Sequence, residues 1–258
     1  MFPYQPVQPA KNSVAKTNIL AKLPRWSTTA CIVLFVFLSL ILVQCARLGV
    51  AGLMVQRAQT EVDRWTAASP QPEMPEITRL ANLFSNSLQY TSGNPWALEG
   101  LGAIDLARMR GSRVPREALA AAKDARLHFR QALRQRPTSP YLWANLALAK
   151  LYLNEIDAEF FAAMRHAEEL GPWEPVVQQT TLFAGLAMWS ELDPELKQAM
   201  ARTIERGGLR TAETIFKIVK SYGRFDLICA IKKYELIAGP DCKKAGLSAG
   251  SGEPPKGR

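Results

Sequence analysis

Two histidines, a pair of adjacent glutamates, two glycines in the stretch GLGAID and four cysteines are the residues of this chain whose types could carry chemistry. His128 and His166 could ligate a metal or act as bases. Neither has a cysteine or carboxylate beside it at ligand spacing, so no metal site is expected. A nucleophilic triad needs an elbow motif around its serine or cysteine, and none is present. Gly100 and Gly102 could cradle phosphate only after a strand, whereas GLGAID reads as the interior of a helix. Glu168 and Glu169 read as exposed helical acids rather than as a general acid and base. The expectation is a chain without catalytic residues, cofactor or metal.

The cysteines fall into two pairs. Cys31 and Cys45 lie within or beside an apolar run, Trp26 to Ala46, that contains no charged residue. At 1.5 Å per residue such a run spans about 30 Å, the hydrocarbon thickness of a bilayer. A cleavable signal peptide is the competing reading, weakened by the long leader and the poor cleavage site. Leu42-Val43-Gln44-Cys45 has a lipoprotein outline, but Gln44 stands where a small residue is needed. The leader carries Lys11, Lys16, Lys22 and Arg25 with no acidic residue. The positive-inside bias then puts the N-terminus in the cytoplasm and the chain after Ala46 outside, in the periplasm if the cell is Gram-negative. Cys229 and Cys242 would lie on that oxidising side. A disulfide between them is a hypothesis from compartment and pairing, with free thiols as the alternative.

The elements that must position these residues are helical. Apolar residues recur at helical spacing after the span, and no alternating strand pattern appears. The reading is all-α: a transmembrane helix followed by an array of helical hairpins. The segments are a leader over 1–25, a span over 26–46, and a juxtamembrane helix with a proline-rich joint over 47–74. An array over 75–208, capping helices over 209–245 and a disordered tail over 246–258 follow. Gly111 to Pro115 reads as a lengthened turn inside the first hairpin. Asp193 and Pro194 read as the cap and first residue of a helix, ended by Gly207-Gly208. Further helices are expected near Arg210–Ser221 and Phe225–Ile237.

Charge is concentrated late. From Lys197 to Lys244 there are eleven Lys and Arg against five Asp and Glu. Lys217, Lys220, Arg224, Lys232 and Lys233 form a basic patch that suits anionic lipid, an acidic polysaccharide, an acidic protein or solvent alone. Nucleic acid is not expected, since no binding motif is present.

Ala125, Phe129, Ala132 and Pro137, then Trp143, Leu146 and Ala147, resemble the second helix of one tetratricopeptide (TPR) repeat running into the first helix of the next. An ordinary hairpin with a proline in its turn is the simpler alternative. The TPR resemblance implies a groove whose lining includes Tyr141, Asn145, Leu148 and Tyr152, with Asn145 where TPR proteins often hold a bound peptide. The same residues could instead pack on the neighbouring repeat. Residues 137–147 together with Leu170-Gly171-Pro172-Trp173-Glu174-Pro175 are also similar to the VpsP family of polysaccharide biosynthesis proteins. This similarity implies a non-catalytic, single-pass inner-membrane protein that meets protein partners of a polysaccharide polymerisation or export complex. An anchored maturation factor, laid out like the TPR subunits of cytochrome c assembly, is the alternative, as is direct binding of polysaccharide. The oligomeric state stays open.

Overall fold

The structure is a computed structural model that describes residues 28–64 and 72–247. The expected leader, the stretch 65–71 within the proline-rich joint, and the tail beyond residue 247 lie outside the described residues. Among the described residues all regular structure is helical. The chain divides into two compact units, 1–46 and 47–258.

Helix α1, Thr28–Val62, runs through the first unit into the second. It is long and apolar enough to cross a membrane, and its most apolar window is wholly unburied. Side chains from Ile32 to Val43 stand bare, which a water-soluble surface of that size does not tolerate. Burial begins only at Ala51, Val55 and Ala58, one helical face. The helix ends at Val62.

In the second unit, α2 (Met74–Tyr90) and α3 (Pro95–Gly111) form one cluster with Val55 and Ala58 of α1. After them come α4 (Pro115–Leu133), α5 (Pro140–Tyr152), α6 (Ala158–Leu170), α7 (Pro175–Ala187), α8 (Pro194–Arg206) and α9 (Leu209–Ser221). Proline opens α3, α4, α5, α7 and α8, where its missing N–H has no helical partner to lose. Asn94, Asp157 and Asp193 cap α3, α6 and α8 through side-chain oxygens. Short connections make neighbours antiparallel, so alternate helices α3, α5, α7 and α9 lie side by side. The result is a helical-hairpin array.

The first hairpin does not contain the lengthened turn expected at Gly111–Pro115. Only residues 112–114 connect α3 to α4, and the extra length lies in the helices themselves. They have 17 and 19 residues, against 13 in each of α5 to α9. Glycine allows this hairpin to close. A Cβ on Gly102 would stand 2.5 Å from the Phe129 ring of α4; on the side of α3 that meets α2, one on Gly100 would stand 2.2 Å from Phe84.

Two sites mark an internal repeat. The indole Nε1 of Trp143 donates to the Pro137 carbonyl at 2.7 Å, and Gln178 Nε2 donates to the Pro172 carbonyl at 2.8 Å. Each bond reaches back 6 residues across the turn before its helix. An amide in α7 thus makes the bond that an indole makes in α5.

The end of the array departs from expectation. Phe225–Ile237 is not one helix; it holds two 3₁₀ turns, Phe225–Leu227 and Lys232–Tyr234, before α10 at Glu235–Lys244. Tyr234 is fully buried and its hydroxyl donates to the Ile204 carbonyl at 2.9 Å. Lys233 Nζ donates to the carbonyls of Glu205 and Gly207, which close the end of α8. These two anchors fix the segment where a continuous helix would carry it away.

Candidate functional site

The four groove candidates on α5 separate. Leu148 is buried in the main core and cannot line a groove; its helix face is the packed one. Tyr141 is half-buried, and its hydroxyl donates to Glu174 on the next hairpin. Burial first, then that hydrogen bond, pushes its phenol up to about 12. Asn145 is half-buried. Tyr152 is exposed, and surrounding protein raises its pKa against a smaller opposing effect of Arg110.

Charged groups that the spacing did not relate are brought together between helices. His128 Nδ1 lies 2.9 Å from Asp105 Oδ2, a carboxylate distant in sequence that α3 delivers to α4. Arg108 also donates to Asp105. Lys150, absent from the sequence reading, is fully buried on α5. Its ammonium donates to Asp157 at 2.9 Å and Glu159 at 2.8 Å, with Glu155 at 3.4 Å. Burial disfavours the ammonium, yet the bonds to Glu159 and Asp157 outweigh it and hold the pKa above its usual value. Arg126 and Arg130 of α4 pair with Glu155 and Glu159, so one ionic ladder joins three helices.

Glu168 corrects the expectation of an exposed acid. It is 8% exposed and accepts from Thr181 at 2.6 Å, Thr203 at 2.8 Å and Arg206 at 2.9 Å. Those partners come from α7 and α8, so the carboxylate ties three helices together. Glu169 remains outside, 69% exposed in its side chain and 3.7 Å from His166. No group of three His, Cys, Asp or Glu side chains among the described residues could hold a metal ion.

The basic patch is largely matched by its own surroundings. Lys217 pairs with Glu213 at 2.8 Å, Lys220 with Asp241 at 2.9 Å and Arg224 with Asp226 at 2.6 Å. Arg224 also lies over the Trp189 ring at 4.1 Å. Burial lowers the pKa of Lys233 while its ammonium holds backbone carbonyls. Lys232 remains exposed. Cys229 and Cys242 are joined by a disulfide, with Cα atoms 5.7 Å apart, and it ties the first 3₁₀ region to α10.

Two exposed tryptophans mark the edge of the array at which α3, α5, α7 and α9 begin. At the start of α3, Trp96 carries the Arg136 guanidinium 3.4 Å above its ring. At the turn into α7, Leu170, Trp173 and Val176 stand 42%, 69% and 57% exposed. Trp173 has the Arg206 guanidinium 5.8 Å away and little else over it. Such a cluster is an unfilled contact surface, since a bare indole of this size is unfavourable in water. A cleft of about 420 Å³ lies between the end of α1 and the start of α3, walled by Val55, Gln59, Asp63, Asn94 and Trp96. Gln59 Nε2 donates to Asp63 there at 2.7 Å.

No family model, curated protein or solved structure matches this chain.

Proposed function

We propose that this protein is a membrane-anchored, non-catalytic scaffold whose hairpin array docks proteins of a surface-polysaccharide polymerisation or export machinery. The observation that carries the docking part is the exposed Leu170–Trp173–Val176 cluster. Its Leu170 and Trp173 fall in the Leu170-to-Pro175 stretch on which the resemblance to the polysaccharide proteins rests, and Val176 follows directly. A tryptophan held on a rigid turn, beside an arginine, is the side-chain chemistry that dominates protein interfaces. The apolar reach of α1 supports an inner-membrane anchor. The Cys229–Cys242 bond fits a second unit on the oxidising side of that membrane, in agreement with the charge of the leader.

A photo-crosslinker placed at Trp173 or Val176 in living cells tests this reading, with Tyr141, Asn145 and Tyr152 as a second set. Capture of a glycan polymerase, copolymerase or exporter from Trp173 is expected. Capture of unfolded or cytochrome substrates instead would assign the protein to maturation, and loss of any specific adduct would sink the docking role.

A further inference from the structure

At the opposite edge of the array from Trp173, the C-terminal ends of α3, α5, α7 and α9 carry a row of aromatic rings. Tyr152 closes α5 and is exposed. Tyr222 directly follows α9, and its ring meets Phe183 of α7 edge-on at 5.7 Å between centroids. Both residues are half-buried, so part of each reaches solvent. Tyr152 ends α5, which packs beside both α7 and α3, and Arg110 stands on the last turn of α3 at the same edge. Arg110 is exposed. Four neighbouring helices therefore present one strip of three rings headed by a guanidinium.

Packed helix axes are separated by about 8–10 Å, so the strip suits an elongated ligand rather than a compact one. Aromatic faces accept the C–H faces of pyranose rings, while two phenol hydroxyls and a guanidinium supply bonds to sugar hydroxyls. The ends of four helices also place partial negative charge here, roughly half a charge each. These partial charges offset the Arg110 guanidinium, so the strip offers a polyanion little net attraction and leaves hydroxyl donors welcome. The cations that could have recruited a polyanion farther along, Lys217, Lys220 and Arg224, are paired with carboxylates.

We infer that the Arg110–Tyr152–Tyr222–Phe183 strip binds a largely neutral glycan strand. This rests on the polysaccharide reading above, and it assigns the array a second surface distinct from the protein-docking turn.

The test uses the full chain in nanodiscs, titrated with neutral gluco-, manno- and galacto-hexasaccharides and with hexagalacturonate, followed by saturation-transfer NMR. Saturable binding of a neutral hexasaccharide is expected. Tyr152→Ala and Arg110→Gln should each weaken it by roughly three- to tenfold, the range of one aromatic or polar contact. Tyr152→Phe should keep most of the affinity, and Lys232→Gln should change nothing. Both altered positions are exposed, so an unchanged thermal melt separates lost binding from lost folding. No saturable binding in the neutral panel overturns the inference, as does preference for hexagalacturonate or loss of binding only in Lys232→Gln. Crosslinking from Trp173 is read separately from these outcomes, so failure of the glycan strip is distinguishable from failure of the docking role.

Discussion

Glu168 and Glu169 are neighbours in sequence, yet one is buried among Thr181, Thr203 and Arg206 and the other lies in water. Truncating the buried one strands the Arg206 guanidinium, whereas Thr181 and Thr203 keep the carbonyls of Val177 and Ala199 as acceptors. Glu168→Ala is expected to cost about 3–5 kcal/mol, the usual penalty for breaking a buried pair from one side. Lys150 looks equally committed, but its partners differ. Glu155, Asp157 and Glu159 keep 31%, 56% and 36% of their side-chain surface in solvent. They can rehydrate, and Arg126 and Arg130 still hold two of them. Lys150→Met should therefore change stability by less than about 1.5 kcal/mol. Urea midpoints of the two variants check the contrast. Equal losses would mean that solvent access does not set the cost.

Among the elements, α3 is held against α2 and α4 by contacts too close for a side chain. Gly100→Ala and Gly102→Ala each add a methyl into an occupied ring and should destabilise by about 1–3 kcal/mol. This outweighs the gain of about 1 kcal/mol that alanine brings to a helix interior. Gly239 in α10 has nothing within 4 Å of an added Cβ. The same substitution there should stabilise by up to about 1 kcal/mol. Opposite signs in thermal melts would identify backbone approach, rather than helix propensity, as the reason for the early glycines. The length of α3 and α4 belongs to this scale too. Gly111 and Pro115 mark a turn correctly, but turn residues do not say whether extra chain is looped out or wound into the flanking helices.

For the whole molecule, the array has an open end that must be closed. Its last helices are closed by Tyr234 in the core, by Lys233 on the end of α8, and by the Cys229–Cys242 bond across a separation of 13 residues. A loop of that size contributes about 3 kcal/mol in the chain-entropy account. The Cys229→Ser/Cys242→Ser chain should lose hydrogen-exchange protection from Phe225 to Lys244 while α3 to α6 keep theirs. Uniform loss across the array would show that the cap and the hairpins unfold as one unit.

The amino-acid sequence determined the helical class, the apolar run, and most helix starts. These depend on short-range physics: the spacing of apolar residues, prolines at first positions, and the Asp193 cap. It also placed Ala125, Phe129, Ala132, Leu146 and Ala147 on packed faces, and all five are buried. Tertiary structure alone decided which charges are inside, because burial of Glu168 depends on hydroxyls 13 and 35 residues away. It likewise decided that Leu148 is core, that the basic patch is paired, and that Phe225–Ile237 is not one helix. The aromatic strip of Tyr152, Tyr222 and Phe183 is of the same kind. Its members are far apart in the chain, and only the side-by-side placement of alternate helices makes them one surface.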